Sequence, residues 1–266
     1  MSSPVLGIIP ARIGSSRLPR KPLHPLAGRP LIEWVWRGVM AMDLLDEVVV
    51  ATDSEEVAEA VRAFGGRAEM TAEGHPSGTD RVAEVAHRAE FAGYPVVLNV
   101  QGDEPFLRRG QVEAALACVR GGGWEIGTAA VPIATVEEWR EPSVVKVVRG
   151  ADGGALLFSR APVPFRRDGE PGPEELASGL YLRHLGIYAY RREALLRWVA
   201  LPEGELERVE KLEQLRPLWA GMRIGVGIAE PGPGGIDTPA DAERAGRVLA
   251  EMDLTERLPG AARASA

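Results

Sequence analysis

The spacing of apolar residues changes period several times along the 266-residue chain, and each change marks an element. Residues 5–9 form a short apolar run stopped by Pro10, the pattern of a buried strand. Gly28-Arg29-Pro30 reads as a turn in which Pro30 opens a helix over 31–42, with Ile32, Val35, Trp36 and Val39 on one face. A second buried strand is expected at 47–51. Asp53 or Ser54 then caps a helix at 55–63, Gly65-Gly66 ends it, and 67–70 is a third short strand. This β-α-β-α-β order is half of a doubly wound sheet. A loop at 71–78 leads to a helix at 79–92 carrying Val82, Val85, Ala86 and Ala89 at helical spacing. Residues 95–100 are an almost continuous apolar strand, suited to the middle of a parallel sheet. A helix at 111–119 and a strand at 126–131 follow.

The pattern then shifts. Residues 144–148 and 155–159 are strand-like and flank a segment containing Asp152-Gly153, a hairpin signal. Residues 162–173, rich in proline and charge, read as a mobile or partner-facing loop, and 181–190 as another strand. Helices at 192–199 and 205–216, a strand at 223–229, a loop at 231–235 and a helix from Ile236-Asp237-Thr238-Pro239 to about Met252 complete the order. Residues 253–266 are expected to be a flexible tail. The reading is one α/β domain over 1–252, a three-layer sandwich with a mostly parallel central sheet, in which 143–190 is a β-rich insertion.

Composition narrows the setting. A 45% hydrophobic chain of this length supports one good core. A net charge of −7 argues against nucleic acid as a partner. Cys118 is the only cysteine, which rules out an intramolecular disulfide and a cysteine-based metal site and fits a reducing compartment. No apolar run approaches a membrane span, and the N-terminal apolar stretch is too short for a signal peptide. A soluble, cytoplasmic protein is expected. Lysine occurs only at Lys21, Lys146 and Lys211 and asparagine only at Asn99, from a GC-rich genome or from selection against thermolabile residues. Where arginine is the default cation, Lys21 stands out as a compact point charge.

Three polar signals interrupt the apolar framework. The loop 11–21 after the first strand gathers Arg12, Arg17, Arg20 and Lys21 with Gly14, Ser15 and Ser16. At the C-terminal end of a first strand such a loop meets the ligand crevice, and its cations and free N–H groups suit a polyphosphate; the alternative is a solvated basic loop. Gln101-Gly102-Asp103-Glu104-Pro105 follows the most buried strand, so Asp103 points into the same crevice as a Mg²⁺ ligand or serves as a helix cap. Asp237 is likewise a cap or a ligand, and taken alone the cap is favoured. Weaker signals are His184, Gly186, Tyr188 and Tyr190 on one strand face, and Glu210, Glu213 and Gln214 at helical spacing. The first pair of tyrosines with His184 could bind a polyhydroxylated acid or form a core edge; the second group could be a half-solvated helix. The dinucleotide fingerprint, the P-loop and the nucleophile elbow are all absent. These residues point to phosphoryl or nucleotidyl transfer.

The runs IIPARIGSSRLPRKPL, VVVATD, HPSGTDR, NVQGDEP, LFSRAPVP, RHLGIYAY, LEQLR and IDTPAD, collinear over about 5–250, together resemble the 3-deoxy-D-manno-octulosonate (Kdo) cytidylyltransferase family, of nucleotide-diphospho-sugar transferase-like fold. The resemblance implies transfer from CTP to Kdo with release of pyrophosphate, a Mg²⁺ cofactor, a homodimer with the insertion at its interface, and lipopolysaccharide synthesis as the destination. It implies Pro10, Ala11, Arg12, Arg17, Lys21, Ser77 and Asp80 around CTP, with Lys21, Arg12 and Asp103 catalytic. It further implies Arg81, Gln101, Arg160, His184, Tyr188, Glu213 and Gln214 around Kdo, and Asp103 and Asp237 on the metal. The rival readings are another 2-keto sugar acid, such as 8-amino-Kdo or a sialic acid, and a non-catalytic nucleotide binder. Neither partner class requires nucleic acid or membrane.

Overall fold

Alternation along the first strand sets the architecture. Val5 and Ile9 face one apolar layer, Leu6 and Ile8 the other, and all four are fully buried. A strand covered on both faces belongs at the centre of a sheet with helices on each side. The protein, seen as a computed structural model, is described over residues 3–14 and 17–257; Ser15 and Ser16 of the first loop and 258–266 of the expected tail lie outside these.

The elements in chain order are β1 (Val5–Ala11), β2 (Pro25–Leu26), β3 (Arg29–Pro30), α1 (Leu31–Met40), β4 (Glu47–Thr52), α2 (Glu55–Ala63), β5 (Arg67–Met70), α3 (Gly78–His87), β6 (Val96–Asn99), α4 (Arg109–Arg120), β7 (Ile126–Pro132), α5 (Val136–Arg140), β8 (Lys146–Arg149), β9 (Ala155–Ser159), α6 (Pro173–Ala177), β10 (Leu182–Arg191), α7 (Arg192–Val199), α8 (Glu205–Glu210), α9 (Leu215–Trp219), β11 (Ile224–Ile228) and α10 (Pro239–Arg257). The sheet order is β11-β7-β10-β6-β1-β4-β5, with β8 and β9 extending from β10. Pairs β1–β4, β4–β5, β1–β6 and β7–β11 are parallel, whereas β10 runs antiparallel between β6 and β7. Side chains of α1, α2, α4 and α10 fill one layer; those of α3, α7 and α9 fill the other. This is the expected three-layer α/β sandwich with a mostly parallel sheet.

The order of strand addition reverses at β1. The first half winds outward to β4 and β5, then α3 returns the chain to β6 on the other flank of β1. That reversal leaves a crevice at the C-terminal ends of β1 and β6, where loops diverge and ligands bind in open α/β sheets.

Several boundaries differ from expectation. The helix expected over 205–216 is two helices, because Lys211 adopts a left-handed backbone (φ 53°) and ends α8. The helix expected over 79–92 ends at His87, since Arg88 is extended; Ala89 is therefore exposed rather than part of the buried stripe. The last helix continues beyond Met252 to Arg257. Two short helices, α5 and α6, were not legible as apolar stripes. They support a satellite cluster of Ile133, Trp139, Leu176 and Tyr181. The hairpin at 144–159 forms as β8–β9, while β10, from the same 143–190 segment, is a central member of the main sheet.

Candidate functional site

A cleft of about 360 Å³ opens at the crevice beside β1. Its floor is made where the loop after β6 crosses the end of β1. Gly102 permits the crossing: a Cβ there would lie 2.7 Å from the Pro10 carbonyl oxygen. Its far wall is the N-terminus of α3, capped by Ser77, whose Oγ accepts from the Asp80 N–H at 3.2 Å and donates to the Asp80 carboxylate at 2.7 Å.

Cations and carboxylates meet at the mouth. Lys21 Nζ lies 2.5 Å from Asp103 Oδ2 and 3.0 Å from Asp237 Oδ1, and Arg17 Nη2 lies 3.1 Å from the same Asp237 oxygen. Neither aspartate is a cap. The turn before α4 is closed by Gln111, whose side chain accepts from the Arg108 N–H at 3.0 Å. Before α10, Thr238 and Asp241 form a reciprocal box: Thr238 N–H donates to Asp241 at 2.8 Å and Asp241 N–H to Thr238 Oγ1 at 3.2 Å. The Asp237 carboxylate is thereby left to the cleft. Its segment is anchored by the Ile236 N–H, which donates to the Asp103 carbonyl at 2.9 Å. Beside them, burial and the charge of Asp103 push the Glu104 carboxyl up to about 7.

Among the expected residues, Pro10, Ala11, Arg12, Arg17, Lys21, Ser77, Arg81, Gln101, Asp103, Glu213 and Asp237 line the cleft. Asp80 lies just behind Ser77. Arg20, the fourth cation of the loop, turns away to pair with Glu56 on α2. His184 and Tyr188 do share a face of β10 with Tyr190, their rings in contact, but they sit outside the cleft lining. Thr128 Oγ1 lies 2.9 Å from His184 Nε2 and 2.8 Å from the Ile187 carbonyl. The single hydroxyl proton goes to the carbonyl, so Nε2 carries the imidazole proton and Nδ1 is the acceptor. Burial holds His184 down to about 3, hence neutral. Gln214 is buried and is not part of the cleft lining. Arg160 is not brought to the cleft: its guanidinium donates to the carbonyls of Glu210, Pro142 and Lys211.

Glu213 reaches the cleft because the left-handed turn at Lys211 separates it from α8. Thr79 Oγ1 donates to Glu213 at 3.0 Å, and burial raises the Glu213 carboxyl above its ordinary range. Asp53, expected only as a possible helix cap, and His75 and Glu104 are not among the residues expected at the site. His75 lines the cleft with its Nε2 2.5 Å from Glu84. The HPSG loop before a helix is the available signal for it; Asp53 and Glu104 lie within the runs VVVATD and NVQGDEP, each placed after a strand.

A sheet of this order, with a cationic crevice at the strand reversal and two carboxylates facing a lysine, defines a nucleotidyltransferase of the nucleotide-diphospho-sugar transferase-like fold. The family described as cytidylyltransferase matches residues 6–224. A 3-deoxy-manno-octulosonate cytidylyltransferase of Gemmatimonas aurantiaca is 50% identical over 91% of this chain and 93% of its own length. One from Xanthomonas campestris pv. campestris is 45% identical over 94% and 90%. A solved CMP:2-keto-3-deoxy-manno-octonic acid synthetase complexed with CTP superposes with a TM-score of 0.85 at 41% identity, covering 94% of this chain and all of that one. A 4-diphosphocytidyl-2C-methyl-D-erythritol synthase from Anaerococcus prevotii, at 15% identity and a TM-score of 0.61, shares the fold alone. The chain belongs to the cytidylyltransferase family, among the 3-deoxy-manno-octulosonate cytidylyltransferases.

Proposed function

We propose that this enzyme joins CTP to Kdo, releasing pyrophosphate and forming CMP-Kdo. The observation that carries the reading is the Asp103–Lys21–Asp237 cluster at the strand reversal, flanked by Arg12 and Arg17. The names of its relatives supply the substrates.

In this reading the triphosphate lies along the first loop. Arg12 and Arg17 grip its oxygens, and Lys21 leaves the aspartates to neutralise charge as the α–β bond breaks. Backbone at Pro10 and Ala11, with Ser77 and Asp80 opposite, holds the cytidine. The anomeric C2 hydroxyl of Kdo attacks the α-phosphorus in line, and pyrophosphate leaves. The protein's part is positioning and charge stabilisation.

A divalent cation fits the donor set. Asp103 and Asp237 offer two hard oxygens that already converge on one positive group, the Lys21 ammonium. Among the described residues no cluster of three or more ligating side chains is present. Two carboxylates, completed by phosphate and water, are what Mg²⁺ commonly takes. When bound, Mg²⁺ would offset phosphate charge and lower the pKa of the attacking hydroxyl.

Arg81, Gln101 and Glu213 face Kdo from the cleft lining, with His184, Tyr188 and Gln214 behind them. Arg160 joins only by exchanging its carbonyl partners for the sugar acid. We further infer a homodimer involving 143–190, a cytoplasmic setting and supply of lipopolysaccharide synthesis. Among the described residues no helix is long and apolar enough to cross a membrane.

The test is pyrophosphate release with CTP and Mg²⁺, comparing Kdo, 8-amino-Kdo and N-acetylneuraminate. Release with Kdo supports the reading; release only with another acid replaces the substrate; no release with any of them removes the catalytic reading.

A further inference from the structure

Asp53 immediately follows β4 and has no part in capping α2. Ser54 takes that role, its Oγ accepting from the Val57 N–H at 3.4 Å. The Asp53 carboxylate instead meets Arg81 on the first turn of α3. Its Oδ2 accepts from Arg81 Nη2 at 2.6 Å, and its buried Oδ1 has no hydrogen-bond partner. Thr71 Oγ1 accepts from Arg81 Nη1, and the Thr71 N–H is tied to the Thr52 carbonyl at 2.8 Å. The Arg81 and Asp53 side chains are only 4% and 13% exposed, yet Arg81 still lines the cleft.

Each terminal guanidinium nitrogen carries two N–H groups. Asp53 and Thr71 engage one on each, leaving the other pair for a ligand. Arg81 also shares the cleft with Arg12, Arg17 and Lys21, where a triphosphate would attract any loose cation. We propose that Asp53 is a positioning residue. It anchors Arg81 in the cleft wall, away from the nucleotide's phosphates, so that its free N–H groups receive the carboxylate of the sugar acid. This rests on the reading above, in which Arg81 faces the acid.

The test is steady-state kinetics of full-length Asp53→Asn and Thr71→Val beside the unaltered enzyme, varying CTP and Kdo separately. Asp53→Asn keeps the shape and removes the charge. The expected result is a KM for Kdo raised about tenfold or more, with the KM for CTP unchanged or lowered. Thr71→Val keeps the charge pair and frees one nitrogen, so the KM for Kdo should rise about threefold. If Asp53→Asn fails to fold, Thr71→Val decides, and an unchanged KM for Kdo overturns the proposal. A folded Asp53→Asn with an unchanged KM for Kdo, or with both KM values raised alike, also overturns it. An unaltered enzyme that turns over no sugar acid overturns the functional reading and this assignment with it; an active one leaves the variants to judge the assignment alone.

Discussion

Side chains become available for chemistry when a neighbour relieves them of structural duty. Asp237 precedes a helix, but Thr238 and Asp241 cap it; Asp103 precedes another, but Gln111 closes that turn. Both carboxylates then converge on Lys21. Asp103→Asn or Asp237→Asn should therefore lower turnover by about a hundredfold or more while leaving the far-ultraviolet circular dichroism spectrum intact. Near-normal turnover with either variant would remove that residue from the mechanism. His184 carries a different consequence. Burial holds it at about 3, below its ordinary 6.5, so between those values the folded state binds fewer protons than the unfolded chain. The stability this contributes is present above pH 6.5 and is lost as pH falls toward 3. Urea unfolding at pH 7 and pH 4.5 should show the unaltered protein losing about 2 kcal/mol more than His184→Gln; equal losses would place the ring in water.

At the scale of elements, the break between α8 and α9 matters most. The apolar stripe Leu212 and Leu215 is real, since both are buried, and it made a single helix over 205–216 the natural reading. Periodicity does not register one left-handed residue, because Lys211 leaves the apolar spacing nearly unchanged while turning Glu213 into the cleft. A buried pair closes the break: Arg216 donates to both oxygens of Glu207, at 2.8 and 2.6 Å. Lys211→Val should cost about 1–2 kcal/mol, since a β-branched residue tolerates positive φ poorly. Lys211→Gly should change stability by less than about 1 kcal/mol. Thermal unfolding separates the two, and equal effects would show that the turn is not under conformational constraint. The other missed elements have similar causes. α5 and α6 are too short to show a stripe, and the pairing of Asp53 with Arg81 and the setting of Glu104 depend on contacts from distant segments. By contrast, the long strands and the first loop were legible, because burial on both faces and a concentration of cations are both local properties of sequence.

Across the whole molecule, two apolar layers sandwich the sheet, and one helix sits unusually close to it. A Cβ on Gly127 would lie 2.2 Å from the Ala115 carbonyl oxygen, and one on Gly227 would lie 2.4 Å from that of Ala114. α4 thus rests directly on the backbone of β7 and β11. Gly227→Ala should cost about 3 kcal/mol or more, by overpacking against backbone that cannot move aside; an unchanged melting temperature would mean that the helix is free to shift. The strand order has a further consequence, for the protein as it is made. β1 is made well before its partners: Leu6 pairs with Glu47 on one side and Val97 on the other. The first loop therefore stays without its framework until β6 has been synthesised, and Asp237 reaches it only after β11 has followed. A nascent chain halted before residue 237 holds every strand of the sheet but only one of the two carboxylates that face Lys21, so on the proposed reading the cleft is completed after the strands that frame it.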